Sequence, residues 1–239
     1  VFAYRFPFVL LGTWTLVLQY RIARYFLNSD GAFIAMLLLA LSHYILMTIA
    51  GAAGMSGIDT TLLLTTTLGI WAWLRWEERP TWAAVVLLGV ACGLGLLTKW
   101  LVGLLPLAVF GLALLLRYVR LLGARPANAR DWAVVIVAGF VAIVVAAPWY
   151  VFAALQYPEV FRTEILSFTA HFTADAAVIQ DQHYPWYSYL LTFPTLYAAI
   201  FALMLPFSVI TWLQLGGNVR RRWTILLSIG CTYVFFMLA

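Results

Sequence analysis

The feature that most constrains this chain is a series of apolar runs separated by short polar breaks. The runs cover 6–26, 31–50, 59–75, 82–98, 101–118, 132–150, 187–213 and 223–239. Roughly 20 mostly apolar residues suffice for a helix to cross the hydrocarbon of a bilayer. Lipid offers a peptide group no hydrogen bond, so a spanning segment must satisfy its own backbone, which points to helix. A barrel would need segments of about ten residues that alternate in polarity, and these runs do not alternate. Hydrophobic residues make up 65% of the 239-residue chain and charged residues 10%, against about 25% charged in a soluble domain. The expectation is an all-α, polytopic transmembrane helical bundle of about eight spans, a single domain over 1–239. The breaks carry turn formers: Asn28-Ser29-Asp30-Gly31, Gly54-Met55-Ser56-Gly57, Arg79-Pro80 and Gly123-Ala124-Arg125-Pro126. One connection is long, 151–186. The chain begins at Val1 and stops inside an apolar run, so a fragment with material missing at both ends is expected.

The charges orient these spans. Arg21 and Arg24, Arg75 and Arg79, then Arg117, Arg120, Arg125 and Arg130, and finally Arg220, Arg221 and Arg222 fall in alternate breaks. The opposite side keeps only Arg5, Lys99 and Arg162 as bases. The positive-inside rule assigns the arginine clusters to the cytoplasm. The outer side then holds Asp59, Glu159, Glu164, Asp175, Asp181, His171 and His183. The net charge of +5 is explained by this topology, because the bases sit between spans; nucleic acid is not an expected partner. Cys92 and Cys231 lie inside apolar runs and read as small packing residues, not as a disulfide framework.

Several outer residues have chemistry available to them. Asp59 opens a span and reads as an N-cap accepting free backbone N–H groups, a place that also faces the outer side. Lys99 stands between two apolar runs in Gly93-Leu94-Gly95-Leu96-Leu97-Thr98-Lys99-Trp100. It either snorkels to the interface or offers an ammonium to a phosphate; Arg5 has the same two readings. Ionisable groups at membrane depth are expensive and often functional. Glu164, His171, Asp175, Asp181 and His183 are of metal-ligand type and could hold a divalent metal. Their spacing matches no metal motif, so they read as solvated loop charges and no cofactor follows from them. His43 lies within an apolar run and reads as a packing histidine. Trp149, Tyr150, Tyr157, Tyr184, Trp186, Tyr187 and Tyr189 crowd the long connection, as aromatics do at an interface. Rings bearing hydroxyls there suit a sugar or an isoprenoid chain.

The order of these features resembles the membrane domain of the dolichyl-phosphate-mannose–protein mannosyltransferase and aminoarabinose lipid A transferase superfamily, glycosyltransferases of the GT-C fold. Arg5-Phe6-Pro7 resembles the family's Arg-x-Pro. Gly57-Ile58-Asp59-Thr60 resembles its aspartate-headed helix, and Gly93 to Lys99 its Gly-Leu-x-x-Leu-Thr-Lys segment. Pro148-Trp149-Tyr150 followed by Phe161, and His183-Tyr184-Pro185-Trp186-Tyr187-Ser188-Tyr189, resemble the borders of its long outer loop. The resemblance covers nearly the whole chain. It departs where Trp100 takes the place of the glycine that usually follows the lysine, and where His171-Phe172 stands for Arg-Phe. The family's Asp-Glu pair, with its general base, and its Lys-Pro-Pro motif would fall upstream of Val1, so this chain alone is expected to be inactive.

The resemblance implies a membrane glycosyltransferase that moves a sugar from a polyprenyl-phosphate donor to a lipid or protein acceptor. Donor phosphate or sugar would meet Asp59, Lys99, Arg5, His183, Tyr187 and Tyr189, with membrane lipids around the bundle. The setting would be a bacterial inner membrane with the active face in the periplasm. The competing expectation is a secondary transporter or lipid-linked sugar flippase, which would show broken mid-membrane helices and an internal repeat; neither pattern is visible in the sequence.

Overall fold

A computed structural model describes residues 2–50, 57–119 and 128–170. Among them the chain is helical and contains no strand. Helix α1 (Phe2–Ala23) is followed by α2 (Ser29–Ala40), α3 (His43–Ala50), α4 (Gly57–Glu78) and α5 (Trp82–Lys99). A 3₁₀ turn over Trp100–Leu104 leads into α6 (Leu105–Tyr118), then α7 (Ala129–Gln156) and α8 (Pro158–Ala170). Among the described residues, three stretches are long and apolar enough to cross a membrane: Arg5–Ala23, Trp82–Tyr118 and Ala129–Gln156. The middle one is a hairpin. The backbone of Gly95 lies against that of Gly103, and Cys92 reaches the backbone of Leu107, so α6 returns along α5. The chain is an all-α membrane bundle.

Helix starts follow local chemistry. Asn28 accepts from the Gly31 N–H, and Thr81 accepts from the Ala84 N–H. Asn128 and Asp131 form a reciprocal capping box at the head of α7, satisfying two otherwise orphaned donors.

Three helix boundaries differ from the sequence expectation. The run 31–50 is two helices, not one. The Ser42 N–H turns back to Leu39 O, and the Ser42 carbonyl accepts from the Leu46 N–H to start α3. Serine's preference for helix ends over interiors fits a break at this point. His43 therefore opens a helix and does not sit at mid-span. Helix α7 runs through Pro148 to Gln156, and α8 follows at once, so the first 20 residues of the expected 151–186 connection are mostly helical. The break comes at Tyr157 (φ −134, ψ 58), because the residue before a proline is pushed out of the α region, and Pro158 then occupies a favoured first helical position. Finally, α4 starts at Gly57, which places Asp59 inside the first helical turn and not at the cap. The runs 187–213 and 223–239, with Cys231, lie outside the described residues.

The core forms where α4, α5, α6 and α7 meet. Trp73 and Trp76 of α4, Leu88 and Cys92 of α5, Phe110 and Leu114 of α6, and Val134, Ala138 and Ala142 of α7 are all buried. Trp73 and Phe110 pack with ring centroids 5.0 Å apart. Between α5 and α7 the contact is small-on-small. Gly89 and Gly93 face Ala138, Ala142 and their neighbours so closely that a Cβ on Gly89 would lie 2.6 Å from Ala138 O. Small residues four apart let helix backbones approach where no water drives them together. On the other side of α7, Ile136, Phe140 and Ile143 are exposed, the surface expected of a helix that faces lipid.

Among the described residues, Arg21, Arg75, Arg117 and Arg130 gather at one end. Arg21 and Arg75 stand 5.4 and 5.3 Å from the Trp71 ring centre, and Arg130 lies 5.3 Å from that of Trp76. Arg117 pairs with Glu77 at 3.7 Å, with the two side chains only 6% and 3% exposed. Helices α1 and α4 run antiparallel: Gly57 meets the Phe8 ring at one end, and Arg21 meets Trp71 near the other. The Asp59 end of α4 is thus the end of the bundle opposite the arginine cluster.

Candidate functional site

The sequence separates Asp59 and Lys99 by two helices, and the fold joins them. Asp59 projects from the first turn of α4, where the positive helix end favours a carboxylate. Lys99 closes α5. With α4 and α5 packed antiparallel, the two ends coincide, and Lys99 Nζ lies 2.5 Å from Asp59 Oδ1. Their side chains are 43% and 29% exposed, so the pair is accessible to a ligand.

The last turn of α5 is bound in an unusual way. Carbonyls there lack an intrahelical donor and need another. Gly95 O accepts from Thr98 Oγ1 at 2.7 Å. Leu96 O accepts twice, from the Trp100 N–H and from the Tyr150 hydroxyl at 2.7 Å, from 54 residues away. Trp100 meets Tyr150 edge-on, centroids 5.2 Å apart at 82°, and Tyr150 in turn meets Phe161 of α8 at 6.3 Å. Such offset and edge-to-face geometries are the favoured ones for rings.

Two hollows lie on either side of this aromatic cluster. One, of about 370 Å³, is lined by Leu97, Trp149, Tyr157, Phe161 and Glu164 among others. The second, of about 350 Å³, is wholly apolar and runs along Leu101, Ile143, Ala147 and Val151. Leu96, Trp100, Tyr150 and Phe161 border both. Lys99 lines neither hollow, but its neighbours Thr98 and Trp100 line the first, so a cation, a carboxylate and an apolar trough share one helix end, a combination suited to an anionic head on a long hydrocarbon.

Of the residues singled out from the sequence, the fold brings together Asp59 and Lys99. Arg5 is exposed on α1 at the same end of the bundle and does not join the ion pair. His183, Tyr187 and Tyr189, with His171, Asp175 and Asp181, lie outside the described residues. Among those described, no group of three or more His, Cys, Asp or Glu side chains could hold a metal ion. Sequence reasoning quoted Tyr150 and Phe161 as motif residues but not the cluster they build with Trp100. Trp100, the residue in place of a glycine, was the signal that could have exposed it.

The sequence pattern of the family described as dolichyl-phosphate-mannose-protein mannosyltransferase matches residues 1–152. This segment includes Arg5, Asp59, Lys99, Trp100 and Tyr150. Over 200 residues the chain is 32% identical to the undecaprenyl phosphate-alpha-4-amino-4-deoxy-L-arabinose arabinosyl transferase 1 of Pseudomonas fluorescens (strain Pf0-1). The alignment covers 79% of this chain and 32% of that protein, so the chain spans about a third of its relative's length. No solved structure matches the chain.

Proposed function

Because this chain belongs to the dolichyl-phosphate-mannose-protein mannosyltransferase family, we propose that it forms part of a membrane glycosyltransferase that transfers a sugar from a polyprenyl-phosphate donor to a lipid or protein acceptor. The observation that carries this reading is the Lys99–Asp59 pair, set beside apolar hollows within the segment that matches the family. The name of the Pseudomonas relative, an undecaprenyl phosphate-linked sugar transferase, supports the donor class.

In this reading the isoprenoid chain lies along the apolar trough between α5, α7 and α8, and the phosphate meets Lys99 at the mouth. A carboxylate removes the proton from the acceptor hydroxyl or phosphate. The acceptor oxygen then bonds to the anomeric carbon as the bond from that carbon to the phosphate oxygen breaks, with inversion. The lipid phosphate leaves carrying the electron pair. Lys99, with Arg5 from the same end of the bundle, stabilises the charge growing on it; a fixed cation aimed where charge develops is worth most in the transition state. Asp59 orients the lysine or a sugar hydroxyl. His183, Tyr187 and Tyr189 are assigned to sugar or phosphate contacts, and no residue of this chain is assigned as the general base. The bundle sits in a bacterial inner membrane, its Lys99 end toward the periplasm and its arginine end in the cytoplasm, with about eight spans over one domain.

The test is direct. The complete protein is incubated with labelled polyprenyl-phosphate sugars and membrane acceptors, and the product is identified. Transfer of label to a lipid or protein supports the proposal. Movement of intact labelled donor across the bilayer without transfer would replace it with a flippase.

A further inference from the structure

Among the described residues, Trp100 is the non-glycine residue with a positive φ. Its backbone sits at φ 51, ψ −136, where a Cβ crowds the neighbouring carbonyl and glycine is the ordinary occupant. A bulky residue there is a genuine outlier, and such strain persists only where the surroundings hold it. The surroundings are visible. The indole is met edge-on by Tyr150. The Tyr150 hydroxyl is bound to Leu96 O, the same carbonyl that takes the Trp100 N–H. On the far side of the turn, Gly95 and Gly103 touch backbone to backbone, a Cβ on Gly95 falling 2.7 Å from Gly103 Cα. The turn is pinned from both flanks, and the residue that leads into it is Lys99, at φ −135, ψ 44.

We infer that Trp100 and Tyr150 are positioning residues: the strained backbone at Trp100, locked by the ring and hydroxyl of Tyr150, holds the Lys99 ammonium against Asp59. Relaxation of residue 100 into a common conformation would redirect the end of α5 and draw the ammonium away from the carboxylate. The link to catalysis rests on the role proposed for Lys99 above; the link to geometry does not.

Two substitutions at one position separate backbone from packing. Trp100→Gly removes the ring but tolerates the positive φ. Trp100→Ala removes the ring and retains a Cβ where the backbone resists one. If the conformation holds Lys99, glycine outperforms alanine, although glycine is ordinarily the more disruptive residue. Peptide-resolved labelling of the complete protein with an amine-reactive reagent reads the ion pair of Lys99 directly. The expected result is a severalfold faster labelling of Lys99 in Trp100→Ala than in Trp100→Gly. Turnover should fall by up to about 10²-fold in the alanine variant, as an ångström-scale misplacement can cause, and by less in the glycine variant. Tyr150→Phe, which keeps the ring and loses the hydroxyl bond to Leu96 O, should also expose Lys99, and it carries the labelling test if Trp100→Ala does not fold. Equal labelling in the glycine and alanine variants, with Tyr150→Phe unchanged from the parent protein, would overturn the inference. Labelling that follows the expected order while turnover ignores it would keep the positioning role and discard the catalytic one for Lys99.

Discussion

Replacement of Lys99 by methionine separates a structural ion pair from a functional one, because the two make opposite demands on stability and rate. Methionine keeps the unbranched stem and removes the charge. The pair is 2.5 Å long, yet its side chains are 43% and 29% exposed. Solvent-accessible pairs contribute about 0.2–1 kcal/mol, since screening and lost side-chain entropy offset most of the Coulomb attraction. Lys99→Met should therefore lower stability by no more than about 1 kcal/mol. A cation fixed on a leaving phosphate is worth far more in the transition state. By analogy with removal of one oxyanion donor, the rate should fall about 10²–10³-fold, or about 2.7–4 kcal/mol. The assay pairs initial rates of sugar transfer with the thermal midpoint of the complete protein in detergent. Asp59→Asn and the double variant complete a cycle. Residues that act as one unit lose less together than the sum of their separate losses, so the double variant should be scarcely slower than Lys99→Met. A rate within a fewfold of the parent, or a stability loss well above about 1 kcal/mol accompanied by a proportionate loss of folded protein, would refute the reasoning.

Other outcomes follow from the same structure. Arg117→Leu should destabilise the protein by about 3–5 kcal/mol, because it leaves the buried Glu77 carboxylate without that counter-charge, whereas Glu77→Leu combined with Arg117→Leu should recover much of the loss; thermal midpoints measure both. Gly93→Leu, whose Cβ would lie 2.6 Å from Val145 Cβ and 2.8 Å from Ala142 O, should force α5 and α7 apart and cost about 1–3 kcal/mol, seen as a lower midpoint and a broadened size-exclusion peak. Single cysteines at Thr163 and Arg79, both exposed, should react with a membrane-impermeant thiol reagent from opposite sides of sealed vesicles; reaction from one side only would undo the assignment of the two ends. Buried Cys92 should remain unlabelled in that experiment until the protein is denatured.

Much of the architecture was legible from residue order. The run 82–98 became α5 almost residue for residue, because apolar length and the Thr81 cap act locally. The charge segregation among the described residues was legible for the same reason: Arg21, Arg75, Arg117 and Arg130 each lie within a turn of a helix end, and alternate ends must share a side. The Gly89-Val90-Ala91-Cys92-Gly93 spacing forms a close-packing surface, but its partner alanines on α7 lie about fifty residues away in sequence, and no local rule pairs them. The break at Ser42 and the continuation of α7 past Pro148 were not legible, because both depend on whether neighbouring helices support the displaced backbone.

Sequence alone determined that this chain is a helical membrane protein and that Arg21, Arg75, Arg117 and Arg130 lie on the side opposite Asp59 and Lys99, since apolar run length and charge position are properties of the chain by itself. Tertiary structure decided that Asp59 and Lys99 meet, that Tyr150 reaches back 54 residues to Leu96, and that Trp100 takes a glycine's conformation. Those facts depend on which helix ends pack together, and that is settled by shape and close contact across the bundle.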